Sequence, residues 1–167
     1  MPSQFSSQSA SQLPDQPVRP LDHLAQSGRD GDPALILRSG TITYQGLRSR
    51  IAALSGWLAA QVPEPGARVA SWAAKGELTC LLPLAAARAG LVHVPVNPLL
   101  KRAQVAHILA DSGTRLLIGS PARLSTLQPN DIAGVYRVLG DADALAEANA
   151  AEGPLLPPSA ADPASLA

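Results

Sequence analysis

The sequence predicts an α/β fold, a parallel-rich sheet flanked by helices and preceded by a β-hairpin. Two observations carry this. Short apolar runs bounded by turn residues alternate along the chain with segments whose apolar residues recur every three or four positions, and Gly or Pro marks nearly every change of period. Strand and helix in alternation imply parallel strands joined by right-handed crossovers. At 167 residues the chain suits one domain with a real core, and Leu21 to Leu139 is the stretch that carries the pattern.

Leu21 to Ser27 is a short helical segment closed by Gly28, and Arg29-Asp30-Gly31-Asp32-Pro33 is turn chemistry. Ala34 to Leu37 and Thr41 to Tyr44 flank Ser39-Gly40, where Gly supplies a positive φ, so a β-hairpin follows. Leu47, Ile51, Leu54 and Leu58 line one face of a helix ending near Gln61, before Pro63, Pro65 and Gly66. Thr43 is placed to cap it, with Gly46 where a full capping box has Glu or Gln.

Arg68 to Trp72 reads as a strand covered on both faces. Glu77 to Ala89 is a helix closed by Gly90 and kinked by Pro83, which forfeits one backbone bond. Leu91 to Val96 is a second apolar run, Arg102 to Ser112 a third helix closed by Gly113, and Thr114 to Ile118 a buried strand. A short helix over Pro121 to Leu127 and a last strand over Gly134 to Leu139 complete the folded part.

Met1 to Pro20 is Ser-, Gln- and Pro-rich without the charged and apolar regions of a secretory signal, and reads as a disordered leader. Residues 140–167, rich in Ala and Pro, read as a linker. Thirteen basic against thirteen acidic side chains leave no basic excess, which argues against nucleic acid and against an anionic membrane surface as partners. No apolar stretch is long enough to span a membrane, because Pro83, Arg88, His93 and Pro95 interrupt the best one. A single Cys80 fits a reducing, cytoplasmic setting.

Few residues fall in a pattern that carries chemistry. The sequence holds no Gly-x-x-x-x-Gly-Lys-Ser/Thr, no Gly-x-Gly-x-x-Gly and no Gly-x-Ser-x-Gly. His23, His93 and His107 are scattered without ligand spacing, so no metal site and no catalytic residue is assigned, and Cys80, Trp57 and Trp72 are expected in the core. Asp30-Gly31-Asp32 and Asp141-Ala142-Asp143 lack the remaining ligands of a calcium loop and read as turns. One feature stands out: Lys101 and Arg102 open a helix where the macrodipole is already positive, so a phosphate bound there would offset the cost. A solvated pair whose small cost is tolerated is the plainer reading of the same residues.

Four pieces in order resemble the opening of an AMP-forming adenylating enzyme, the acyl-CoA synthetase and adenylation-domain superfamily. They are Ile42-Thr43-Tyr44-Gln45-Gly46-Leu47, then Pro65-Gly66-Ala67-Arg68-Val69-Ala70, then Ala87-Arg88-Ala89-Gly90-Leu91 running on to Val96-Asn97-Pro98, and Leu109-Ala110-Asp111-Ser112-Gly113 before an apolar strand. Asn97-Pro98-Leu99-Leu100 is closer to acyl-CoA ligases than to amino-acid adenylation domains, and the stretch from Val94 to Lys101 is similar to ligases found beside exosortase genes. Gly46, Arg88 and Pro83 depart from the family pattern.

The resemblance implies that residues 21–139 form the first subdomain of the large N-terminal domain of an adenylate-forming enzyme. It implies ATP, Mg2+ and CoA as the complete enzyme's cofactors, a carboxylic acid as its substrate, and the C-terminal remainder of the ligase as partner. It also implies that none of these cofactors is bound by this segment alone, because the family's phosphate loop, nucleotide contacts and magnesium glutamate would lie beyond Ala167. Lys101 and Arg102 lie where the resemblance allows contact with the phosphates of CoA. The competing expectation is a free-standing α/β binding module, in which the face meant for the other half has become polar.

Overall fold

The computed structural model describes residues 19–160. Residues 1–18 of the leader expected over residues 1–20, and residues 161–167, lie outside them. A 3-10 helix, Leu21–Gln26, is followed by a two-stranded antiparallel hairpin of β1 (Pro33–Leu37) and β2 (Gly40–Thr43). The turn residues are therefore Arg38 and Ser39. Gly40 is the first residue of the second strand and carries the positive φ, +134°, that the turn needs. Helix α1 (Tyr44–Gln61) begins where Thr43 Oγ1 accepts from the Gly46 N–H at 3.2 Å.

The rest is a four-stranded parallel sheet, β3 (Arg68–Trp72), β4 (Val92–Pro95), β5 (Thr114–Gly119) and β6 (Arg137–Gly140), in the spatial order β4-β3-β5-β6. The helices between the strands are α2 (Glu77–Arg88), α3 (Arg102–Ser112) and α4 (Pro121–Leu124), with α5 (Asp141–Ala150) after β6. Chain direction decides the layers. The step from β3 to β4 moves one way along the sheet and the step from β4 to β5 moves back past β3, so right-handed crossovers put α2 and α3 on opposite faces. Alternation along β5 shows it: Leu116 and Ile118 join Ile51, Leu58, Leu81 and Ala144 of α1, α2 and α5, whereas Leu117 packs with Val105 and Leu109 of α3.

Four further expectations are corrected. Cys80 is exposed, because α2 buries Leu78, Leu81, Leu82 and Ala85, and a residue two positions beyond Leu78 projects from the other side. Residues 140–167 are not linker throughout. Asp141–Ala150 is helix α5, with Asp141 and Asp143 in its first turn where the macrodipole favours anions, and Ala144 and Ala148 buried at a spacing of four. Glu147 fastens it, accepting from Trp57 Nε1 at 3.2 Å and from Arg137 Nη2 at 2.6 Å. The short helix ends at Leu124 rather than Leu127, and the last strand begins at Arg137 rather than Gly134.

Two polar links tie the 3-10 helix to the body. Arg48 donates to the carbonyls of Ala25 (2.9 Å) and Gly28 (3.3 Å) and pairs with Asp30, closing the turn before the hairpin. Arg88 Nε donates to Asp22 Oδ2 at 3.0 Å, and both side chains are all but fully buried. Gly56 sits inside α1, where it costs about 1 kcal/mol relative to Ala. A Cβ there would run into the carbonyl oxygen of Pro154, which crosses the helix at this point.

Candidate functional site

In an open parallel sheet, ligand-binding groups gather outside the carboxyl ends of the strands, where crossovers diverge from a common strand. Here that edge carries the segment after β3 (Ala73 to Gly76), the segment after β4 (Val96 to Lys101) and Ser120 after β5. Between α2 and the exposed edge strand β4 lies a cleft of about 790 Å³, with walls mostly apolar and polar groups from Ser71, Lys75, Thr79, His93 and Asn97. Pro83 lines the same wall. By lacking an N–H it leaves the Thr79 carbonyl, four residues earlier, without its helical donor.

Ser71 and His93 meet in this cleft. His93 is opposite Val69 in the register and Ser71 opposite Pro95, so the two share a face, and Ser71 Oγ lies 2.9 Å from His93 Nε2. Burial pushes the His93 imidazole below its ordinary value. A serine next to a neutral histidine invites comparison with a nucleophile and its base, but that chemistry also needs a third group orienting the imidazole and donors for an oxyanion. Among the described residues no carboxylate bonds His93, and Ser71 is buried. The pair is a polar pin between two strands.

Its pH dependence follows from the sign of the shift. A histidine held neutral by burial binds fewer protons folded than unfolded, so its contribution is complete above the unfolded value near 6.5 and is lost as pH falls through the lowered folded value. Urea unfolding between pH 5 and 7 should show stability rising with pH, and His93→Asn should flatten that slope.

Lys101 and Arg102 stand at the start of α3 as expected. The Lys101 N–H donates to Gln104 Oε1 at 3.0 Å, and Arg102 Nε pairs with Asp131 Oδ2 at 3.2 Å. The anion that balances the helix start is thus partly internal. Lys101 is exposed and has no carboxylate partner among the described residues. His23, His93 and His107 are not brought together, and no group of three His, Cys, Asp or Glu side chains is placed to hold a metal among the described residues. Sequence reasoning missed the Ser71–His93 and Asp22–Arg88 pairs. They join residues 22 and 66 positions apart, and neither spacing carries a local signal.

The described residues thus present a sheet-and-helix layer with an open, mostly apolar cleft at its edge strand. The sequence pattern of the family described as AMP-binding enzyme matches residues 21–167, and the chain belongs to that family. It is 39% identical over 85 residues to the fatty acid–[acyl-carrier-protein] ligase ScoC of Streptomyces coeruleorubidus, a match covering 51% of this chain and 16% of the relative. It is 32% identical over 108 residues to an L-proline–[L-prolyl-carrier protein] ligase of Pseudomonas fluorescens, covering 65% of this chain and 22% of the relative. Its fold is that of apo MatB from Rhodopseudomonas palustris, with a TM-score of 0.71 at 21% identity over 87% of this chain and 30% of that one. The chain therefore spans between 16% and 30% of the length of these three proteins.

Proposed function

We propose that this segment is the first layer of the large domain of an AMP-forming ligase, of the exosortase-associated acyl-CoA type, and acts as scaffold for a reaction completed by the rest of the ligase. In that reaction a carboxylate attacks the α-phosphate of ATP, giving an acyl-adenylate and pyrophosphate, and a thiol then displaces AMP to form a thioester. The charge that develops on the α-phosphate needs donors and a cation aimed at it. The complete enzyme works with ATP, Mg2+ and CoA in the cytoplasm; this segment by itself binds none of them.

The observation that carries the reading is the family match across residues 21–167, which includes every described helix and strand. Against the free-standing binding module stands the cleft beside β4. Its walls remain mostly apolar, and Val92 is 49% exposed, where an independent module would present polar side chains. Lys101, with Arg102 beside it, contributes positive charge toward the phosphates of CoA. Assayed for pyrophosphate release with ATP, Mg2+ and a panel of carboxylic acids, the purified chain should give no signal above buffer. Turnover by these residues alone would overturn the scaffold assignment.

A further inference from the structure

Residues 151–160 contain neither helix nor strand, yet they are fastened to three separate elements. The Leu156 N–H donates to the Ala52 carbonyl of α1 at 3.4 Å, and the Leu156 carbonyl accepts from Arg88 Nη1 of α2 at 3.4 Å. The Ser159 N–H donates to Asp22 Oδ2 at 3.0 Å, and the Ser159 carbonyl accepts from His23 Nε2 at 2.8 Å. Between them and α5, the Pro154 carbonyl lies on Gly56, in space that any side chain would fill. A glycine inside a long helix works against that helix, and the crossing of Pro154 is the feature that requires one here.

We propose that Asp22, Gly56 and Arg88 form a built docking groove for the segment 151–160, and that they are the positioning residues that set its path across α1 and α2. The buried ion pair does two jobs in this arrangement. It joins the 3-10 helix to α2, and it presents one oxygen and one N–H to the backbone of the docked segment. Backbone contacts and a glycine notch read the path of the segment rather than its side chains, so Leu155 is left 65% exposed. The strap thereby fixes the path of the chain across α1 and α2 as far as Ala160.

The test is amide hydrogen exchange on the complete 167-residue chain, resolved at Leu156 and Ser159, with Val69 and Leu117 as core references. In the native chain the two strap amides should exchange more slowly than Glu152. In Gly56→Ala the methyl group displaces Pro154 while favouring the helix, so both strap amides should speed up by roughly tenfold or more and the core amides should not change. Asp22→Asn should release Ser159 more than Leu156. Should Asp22→Asn fail to fold, Gly56→Ala still decides. Strap amides unaffected by Gly56→Ala, or strap and core accelerating together, would each overturn the proposal. Neither result depends on adenylation, and an inactive or active chain in the pyrophosphate assay leaves the groove as it is.

Discussion

Replacing Arg88 with Met should cost this chain about 3–5 kcal/mol of folding stability, since removing one partner of a buried ion pair strands the other charge. Asp22 is fully buried, and Arg88 is its cation. Burial pushes the Asp22 carboxyl up, but the Ser159 N–H and Arg88 together outweigh it, and the group lies below its ordinary value of 3.8. A carboxyl lowered in this way contributes stability that is complete above the unfolded value and is lost as pH falls through the folded one. Without Arg88 only the Ser159 N–H is left to oppose burial, so the charged carboxylate is favoured less. The deficit in Arg88→Met should therefore be largest at neutral pH and shrink in acid, as read by urea unfolding across pH. The double variant Asp22→Leu with Arg88→Met should recover most of the loss, because an apolar pair of similar volume leaves no charge behind. Asp22 Oδ1 and Arg88 Nη2 are already buried without a partner among the described residues, which limits what the native pair contributes.

Leu116→Ala should cost about 2–5 kcal/mol, the range for emptying a leucine site that cannot collapse. Leu116 has no exposed surface, and β5 is held on both sides, by β3 through Val69 and by β6 through Arg137. Strands fixed on two sides cannot close over the vacated volume. Above it, α1 and α5 are tied to each other and to β6 through Trp57, Glu147 and Arg137, which holds them from settling. Ile36→Ala is the matching control: that side chain is 82% exposed, and its loss should change stability by less than about 0.5 kcal/mol. Equilibrium unfolding of the two variants under one condition makes the comparison.

The parallel sheet and three of its helices were legible in the sequence because each is bounded by a residue with one physical job. Gly113 adopts a left-handed conformation after α3, with φ +60°, and Gly90 does so after α2, with φ +70°. Thr43 caps α1 as its position predicts. Helix α5 was not legible, since its buried face is two alanines and its opening Asp141 and Asp143 are equally good turn residues. Cys80 shows the converse failure: a residue type that favours the interior was placed by helical phase on the outside. Of the candidate site, Lys101 and Arg102 could be located in advance because helix starts are locally encoded. Asp131, which pairs with Arg102, could not, for it arrives from a separate 3-10 turn, Pro129–Ile132.

Calorimetric titration of ATP with Mg2+ into the purified chain is the most direct measure of where the nucleotide is held. These residues alone should show no binding at micromolar affinity, and binding should appear once a polypeptide carrying the glycine-rich phosphate loop of the family is mixed with them. Micromolar binding of ATP to the chain by itself would contradict the scaffold assignment.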